Sequence, residues 1–365
     1  MEKNLIYQGD TIEVMKTLPD KTFDFCFADP PYFMQLEPNK KLYRVEGTEF
    51  KGCDDEWDKF PSMQEYINFT RKWLTEVKRL LKDNGTICLI SGMQSIYEIG
   101  AILHELDFWI LNDIIWEKSN PTPNFGGTRL NNSHETLIWA AKSKKSKFSF
   151  NYKTGKKLNN DKQMGSIWKF PICSGNERLK DEQGIKIHST QKPEALLHRI
   201  ITLFTKPNDL ILDPFGGTMT TGVVAKKCGR NYVLIEKDSK YIKYGKKRLD
   251  QVEPQIGEIE NAIYDIKPLK VSFKEMVKDK YLIIGEKFIH NNGQEAILMN
   301  ENGQLEYLGK VDSMHQTAAT MLNKKIRVNA FDYLNVIRDG QLVSISKIRD
   351  DYRKKLRILQ TKTKV

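Results

Sequence analysis

The sequence predicts an α/β protein: a doubly wound, mostly parallel sheet running to about residue 250, followed by a small C-terminal α+β domain. Three observations predict it. Strand-length apolar runs alternate with helix-length amphipathic runs, the pattern of a sheet covered by helices on both faces. Two strands run abruptly into Asp-Pro, at Asp29-Pro30 and Asp213-Pro214, and the second is followed by a glycine-rich turn that opens a helix. Around Val252 to Pro268 the alternation breaks at Pro254, Gly257 and Pro268, and the charge balance changes beyond it.

In chain order, Asn4 to Gly9 reads as a strand, and Asp10 is a suitable N-cap for a helix over Ile12 to Leu18. Phe23 to Ala28 is a short buried strand stopped by Asp29-Pro30-Pro31-Tyr32. Neither proline can donate to a sheet ladder, and each fixes its own φ. Residues 33 to 60 are polar and irregular, a length that is usually functional. Ser62 caps a helix to about Leu81, whose Tyr66, Phe69, Trp73, Val77, Leu80 and Leu81 form one apolar stripe and read as core. Asn84-Gly85 is expected to end that helix before a strand over Thr86 to Ile90. A helix over about Ser95 to Leu106 and a strand over Trp109 to Trp116 follow. A polar stretch from Lys118 to Ser133 leads to a strand over Glu135 to Ala141. Residues 142 to 190 read as basic and irregular, ending in His188-Ser189-Thr190-Gln191-Lys192-Pro193. Then come a helix over Glu194 to Phe204, a strand over Leu210 to Leu212, a helix from near Thr220 and a strand over Tyr232 to Ile235 ending at Glu236. The expected domains are residues 1–255, a linker over 256–268, and residues 269–355 as short strands with one or two helices.

Composition narrows the function. The chain has 365 residues, 39% hydrophobic and 29% charged, which are globular values. Its net charge of +11 points to a polyanionic partner. Residues 261–365 hold 19 Lys and Arg against 12 Asp and Glu, so most of the excess lies in the tail. The five cysteines are scattered, without metal-ligand spacing, which predicts free thiols in a reducing cytosol and no metal site. No apolar run is long enough to span a membrane, and Met1-Glu2-Lys3-Asn4 does not begin a signal peptide.

Two constellations carry chemistry. Asp29-Pro30-Pro31-Tyr32 holds a carboxylate and a ring at fixed positions. A rigid acceptor beside a flat surface suits an extruded nucleobase, although an isolated motif of this kind is also an ordinary turn. Asp213-Pro214-Phe215-Gly216-Gly217-Thr218, with an acidic residue ending the next strand at Glu236, suits a nucleoside, the carboxylate binding the ribose hydroxyls. It is not Gly-x-Gly-x-x-Gly, so a cofactor without a pyrophosphate fits better.

Together these motifs resemble the S-adenosylmethionine-dependent amino methyltransferases of DNA, with the catalytic loop first and the cofactor loop last, the order of the β class. Asp55-Glu56-Trp57-Asp58, Ser119-Asn120-Pro121 with Pro123-Asn124-Phe125, His134-Glu135-Thr136-Leu137-Ile138-Trp139-Ala140, and Thr190-Gln191-Lys192-Pro193-Glu194-Ala195-Leu196-Leu197-His198-Arg199 are similar to the cell-cycle-regulated (CcrM-like) adenine methyltransferases, which modify GANTC. The resemblance covers roughly residues 4 to 250, and more loosely the tail. It implies a Rossmann-like methyltransferase fold and transfer from S-adenosylmethionine to adenine N6 in double-stranded DNA by base flipping. It implies catalytic roles for Asp29, Pro30, Pro31 and Tyr32. Asp10, Lys192, Asp213, Phe215, Gly217, Thr218 and Glu236 would hold the cofactor across a loop over 213–222. Arg44, Asn120, Asn124, Arg129 and Asn132 would contact DNA, most of them in a target-recognition region over about 118–190. A cytoplasmic, nucleoid-associated enzyme without a membrane partner is expected, with a homodimer left open. Two departures stand out. Met219 occupies a position where the family usually has glycine, which a helical φ would accommodate and a close cofactor approach would not. Phe331 and Tyr333 stand near where relatives carry tryptophans. The alternatives are an N4-cytosine methyltransferase, whose loop more often begins with serine, and an inactive DNA-binding regulator.

Overall fold

In the computed structural model the described residues are 1–34, 42–43, 49–50, 55–124 and 127–362. They divide into two compact units, Met1–Ile266 and Lys267–Val365.

The first unit is a doubly wound sheet. Its strands are β1 (Leu5–Gln8), β2 (Phe23–Ala28), β5 (Leu81–Ser91), β6 (Trp109–Lys118), β7 (His134–Ala141), β8 (Ile167–Phe170), β9 (Leu210–Asp213) and β10 (Asn231–Glu236), and a two-residue pair, β3 (Leu42–Tyr43) with β4 (Glu49–Phe50), lies outside that sheet. The order is β1-β10-β9-β2-β5-β7-β6-β8, and β7 runs antiparallel to both its neighbours while the other pairs are parallel. Its helices are α1 (Thr11–Thr17), α2 (Met63–Leu80), α3 (Ile96–Glu105), α4 (Tyr152–Leu158), α5 (Glu194–Phe204), α6 (Thr220–Lys227) and α7 (Ser239–Asp250). Alternate residues of β2 face opposite layers. Phe25 and Phe27 pack with Leu197, Ile200 and Val223 of α5 and α6. Cys26 and Ala28 pack with Trp73, Leu74 and Val77 of α2. Burial of each such aliphatic side chain stabilises the fold by roughly 1.5–3 kcal/mol. Four cysteines among the described residues, Cys26, Cys88, Cys173 and Cys228, are free and buried.

Two expectations are corrected here. Asn84-Gly85 does not separate α2 from the next strand, because β5 starts at Leu81, directly after the helix. Phe23 pairs with Leu81 and Phe25 with Thr86, so the extra residues bulge out of the ladder. Residues 142 to 190 are also more ordered than their composition suggests. α4 carries Gly155 inside a polar sequence, and tertiary contacts hold it: Asp265 takes the Lys153 and Thr154 amides at 2.8 Å each. β8 adds to the sheet edge beside β6. The segment beyond it is knitted by Arg178, whose guanidinium reaches the carbonyls of Cys173, His188 and Ser189.

The second unit is a six-stranded antiparallel sheet, β14-β13-β12-β11-β15-β16, built from β11 (Lys287–His290), β12 (Glu295–Leu298), β13 (Gln304–Tyr307), β14 (Lys310–Ser313), β15 (Leu334–Arg338) and β16 (Gln341–Ser344). It carries three helices, α8 (Phe273–Lys278), α9 (Met314–Met321) and α10 (Ile345–Lys362), around a core that includes Phe288, Leu298, Leu334 and Ile345. Phe331 lies under the Arg349 guanidinium at 3.7 Å, and Tyr333 stacks on His290 with ring centres 5.8 Å apart. Both aromatics therefore have partners inside this unit.

Candidate active site

The carboxyl ends of β1, β2, β9 and β10 open onto one cavity of about 500 Å³. A crevice outside the carboxyl ends of parallel strands is where doubly wound sheets bind ligands.

On the β2 side the Asp29-Pro30-Pro31-Tyr32 loop is held from several directions. The Tyr66 hydroxyl of α2 donates to the Pro31 carbonyl at 2.8 Å. One carboxylate, Asp58, accepts from three successive amides: Tyr32 at 2.6 Å, Phe33 at 2.8 Å and Met34 at 2.7 Å. Gly92 makes room for the Tyr32 ring, since a Cβ there would lie 3.2 Å from Tyr32 Cδ2.

A chain of alternating charges sits beneath the loop. Lys192 Nζ lies 2.7 Å from Asp29 Oδ2 and 4.0 Å from Glu135 Oε2. Glu135 is also paired with Lys118 at 2.7 Å and accepts from the Tyr32 hydroxyl at 2.8 Å. The Lys192 ammonium stands 5.0 Å from the centre of the Tyr32 ring. Burial pushes the Asp29 carboxyl above its ordinary range, against the pull of Lys192. Burial also acts to raise Glu135, but Lys192 and Lys118 outweigh it and hold that carboxyl low. The two acids therefore differ: Glu135 is a fixed anion, and Asp29 is the better proton acceptor.

On the β9 and β10 side, Glu236 accepts from the amides of Gly217 at 2.7 Å and of Lys237 and Asp238 at 2.8 Å each. A carboxylate has further lone pairs, so it can still accept from a diol. Burial raises its pKa against these three bonds. Asp213 is turned inward, to the Thr221 hydroxyl at 2.5 Å and the Phe215 amide at 2.9 Å, and burial pushes it up to about 7. Phe215 packs edge-on against Trp73, with ring centres 5.3 Å apart, and lines the cavity with Thr218. Trp57 stacks on His188 at 5.6 Å, and Tyr241 lies 4.8 Å from His188, giving the cavity an aromatic wall. Burial, reinforced by Lys192, lowers His188 to about 4, so the ring is neutral at pH 7.

Met219 does not have the helical φ that would accommodate a side chain without strain. It is left-handed, at φ 61°, which explains why glycine suits this position. Its side chain is fully buried in the core, next to Gly245 of α7, where a Cβ would lie 2.3 Å from Met219 Cγ.

Asp10 caps α1 through the Ile12 and Glu13 amides and lines the cavity. Lys192, expected among the cofactor residues, has its ammonium on Asp29. Asn120 accepts from the Ile172 amide at 2.8 Å, and Asn124 donates to the Arg129 carbonyl at 2.8 Å. Arg129 and Asn132 are exposed. Arg44 lies outside the described residues. Sequence reasoning missed Asp58 and Glu135, although both stand in the quoted motifs. It also assigned Tyr66 to the core alone. Between Arg129 and Asn132 stands Leu130, 91% exposed, an apolar residue in a polar loop that also passed unnoticed.

Fold and site together define a doubly wound α/β enzyme whose cavity joins a nucleoside-type pocket to a carboxylate loop. The chain belongs to the DNA methylase family of N6 and N4 methyltransferases, whose profile matches residues 23–247. It is similar to the type II methyltransferase M.HinfI of Haemophilus influenzae, 48% identical over 349 residues, 96% of each chain. It is also similar to the type II methyltransferase M2.MboI of Moraxella bovis, 40% identical over 254 residues, 69% of this chain and 90% of that one. The solved structure of the cytosine-N4-specific PvuII DNA methyltransferase shares the fold, with a TM-score of 0.53 and 20% identity over 73% of this chain and 94% of that chain. The protein is a site-specific DNA methyltransferase that uses S-adenosylmethionine. The donor set fits that cofactor: a half-buried carboxylate at a strand end for a ribose diol, an aromatic wall, and a glycine turn that keeps side chains out of the way. Among the described residues no three His, Cys, Asp or Glu side chains are grouped to hold a metal ion, and no helix is long and apolar enough to cross a membrane.

Proposed function

We propose that the chain methylates adenine N6 in GANTC duplexes, as a CcrM-like enzyme acting on a base flipped out of the helix. The observation that carries this reading is the Asp29 carboxylate, 2.7 Å from Lys192 and lining the same cavity as Glu236. An amino nitrogen is nucleophilic only when its lone pair is withdrawn from the ring and its proton has somewhere to go. Asp29 accepts from that amino group, orients it, and takes the released proton, aided by the rise in its pKa. Pro30 and Pro31 keep the acceptor from drifting, and Tyr32 offers its ring to the base. Glu236, Phe215, Gly217, Thr218 and Asp10 hold the cofactor, with Asp213 bracing the loop from behind. S-adenosylmethionine supplies an electrophilic methyl group on a sulfonium. The protein supplies in-line placement and electrostatics. An initial Asp rather than Ser favours adenine over cytosine.

Asn120, Asn124, Arg129 and Asn132, with Arg44, contact the duplex in this reading, through a recognition region over residues 118–190. Residues 269–355 form a basic DNA-binding module whose phosphate contacts offset the few kcal/mol of base extrusion. The enzyme works at the nucleoid, and a homodimer is checked by its mass in solution. The deciding experiment is transfer of labelled methyl to duplexes that differ at one base pair. Label in N6-methyladenine, on GANTC and lost when the outer G·C pair is changed, is expected. Label on cytosine, or equal transfer to both duplexes, refutes the reading. A chain ending at Ile266 is expected to bind cofactor normally and duplex DNA weakly, with a shallower salt dependence.

A further inference from the structure

We propose that Asp58 is a positioning residue of the reaction, setting the backbone of the catalytic loop and linking it to the cofactor wall through the single helical turn that carries it. The inference rests on the reading of Asp29 and Tyr32 above.

Asp58 is 3% exposed, and its two oxygens take the amides of Tyr32, Phe33 and Met34 at 2.6–2.8 Å. Successive amides converging on one anion form a nest, a geometry that needs an unusual backbone. Phe33 supplies it with φ 56°. A left-handed residue other than glycine persists only where its surroundings over-determine it, and here the carboxylate is the group on which the amides converge. An amide side chain at 58 has one acceptor oxygen and would turn its own N–H groups toward backbone donors.

The same turn, Glu56–Asp58, reaches the opposite wall. Trp57 stacks on His188, and both line the cavity, whereas Asp58 does not. Just before the turn, Asp55 Oδ2 accepts from the Ser189 hydroxyl at 2.7 Å. Lys192, three residues beyond Ser189, holds Asp29. One short segment thus grips the catalytic loop by its amides and the segment leading to Lys192 by a hydroxyl and a ring. A cofactor seated against Trp57 and His188 stabilises the turn that carries Asp58, so cofactor and target base bind with positive, reciprocal coupling.

The test uses the full-length protein. Asp58→Asn is expected to weaken that coupling, so that in calorimetry bound duplex no longer tightens cofactor binding as it does in the parent. It should lower the single-turnover methylation rate at least about tenfold, the scale of a slightly misplaced reacting group. In a Tyr32→Ala background the same substitution should add little, because both act on one loop. A rate equal to that of the parent, or losses that multiply in the double variant, overturns the proposal. Hydrogen exchange on the unsubstituted protein gives a second reading that does not depend on a variant's folding. The amides of Tyr32, Phe33 and Met34 should be protected, and more strongly once S-adenosylhomocysteine is bound. Protection that does not respond to that ligand overturns the link to the cofactor wall. An active Asp29→Ala variant would sink the function proposed above. An inactive Asp29→Ala beside a fully active Asp58→Asn sinks only the role of Asp58.

Discussion

β2 and β9 lie side by side, with Cys26 opposite Leu212, and both leave the sheet through Asp-Pro. The proline ends each ladder in the same way, and burial raises both carboxyls. Their partners differ. Asp29 has the Lys192 ammonium at 2.7 Å, whereas Asp213, 3% exposed, has a hydroxyl and an amide. Asp29 is thus an anion beside a cavity, and Asp213 a half-protonated brace behind a glycine turn. The comparison teaches that a dipeptide sets where a carboxylate emerges, and the neighbouring cation sets what it can do.

The largest effect should come from removing the anion that faces the cavity. Asp29→Ala is expected to lower kcat by about 10²–10⁴-fold, the scale of a lost general base, while calorimetry finds cofactor affinity little changed. A variant with near-parental turnover would erase the contrast between the two strand ends. On the cofactor side, Glu236→Ala removes a charged acceptor whose bonds are worth roughly 1.5–3 kcal/mol, so cofactor binding should weaken at least about tenfold. Unchanged affinity in the same calorimetric titration would exclude Glu236 as a ribose ligand.

The turn after β9 can be strained from outside the pocket. A Cβ on Gly245 would meet Met219 Cγ at 2.3 Å, so Gly245→Ala should cost about 1–3 kcal/mol of stability by overpacking. In a Met219→Gly background, which removes the obstructing side chain and suits φ 61°, the same substitution should cost much less in denaturant melts. Equal costs in both backgrounds would separate the two residues.

The smallest effect concerns the proton on Asp213. Its folded pKa of about 7 lies above that of the unfolded chain. The folded state therefore keeps a proton that an unfolded aspartate has released above about pH 4. The associated stability is fully present below that pH and is lost as the pH rises toward 7. Asp213→Asn resembles the protonated form and has no such loss. Its melting temperature relative to the parent should rise between pH 5 and pH 8, and a constant difference would mean that Asp213 does not titrate there.

Much of this site was legible in the chain. Proline, glycine and apolar periodicity are local signals, so the strand exits at Asp29 and Asp213, the acid at Glu236, the Asp10 cap and the stripe of α2 could all be read directly. The helix over residues 152–158 and the strand over 167–170 could not, because their own sequences are poor in periodicity and their stability comes from Asp265 and β6. The same holds for the turn signal at Asn84-Gly85, which the ladder absorbed as a bulge.

By itself the sequence determined the order of elements, the two loops and the residue types that chemistry would need, because each depends on neighbours along the chain. The tertiary structure decided their partners. Lys192 reaches Asp29 across 163 positions, Glu135 reaches Tyr32 across 103, and Asp58 reaches the Tyr32 amide across 26. Long-range contacts of this kind depend on which strands lie side by side and on which loops their ends place over the cavity. Met219 shows the same division. Its position in the turn is local, but its buried side chain has room because α7 carries glycine at 245.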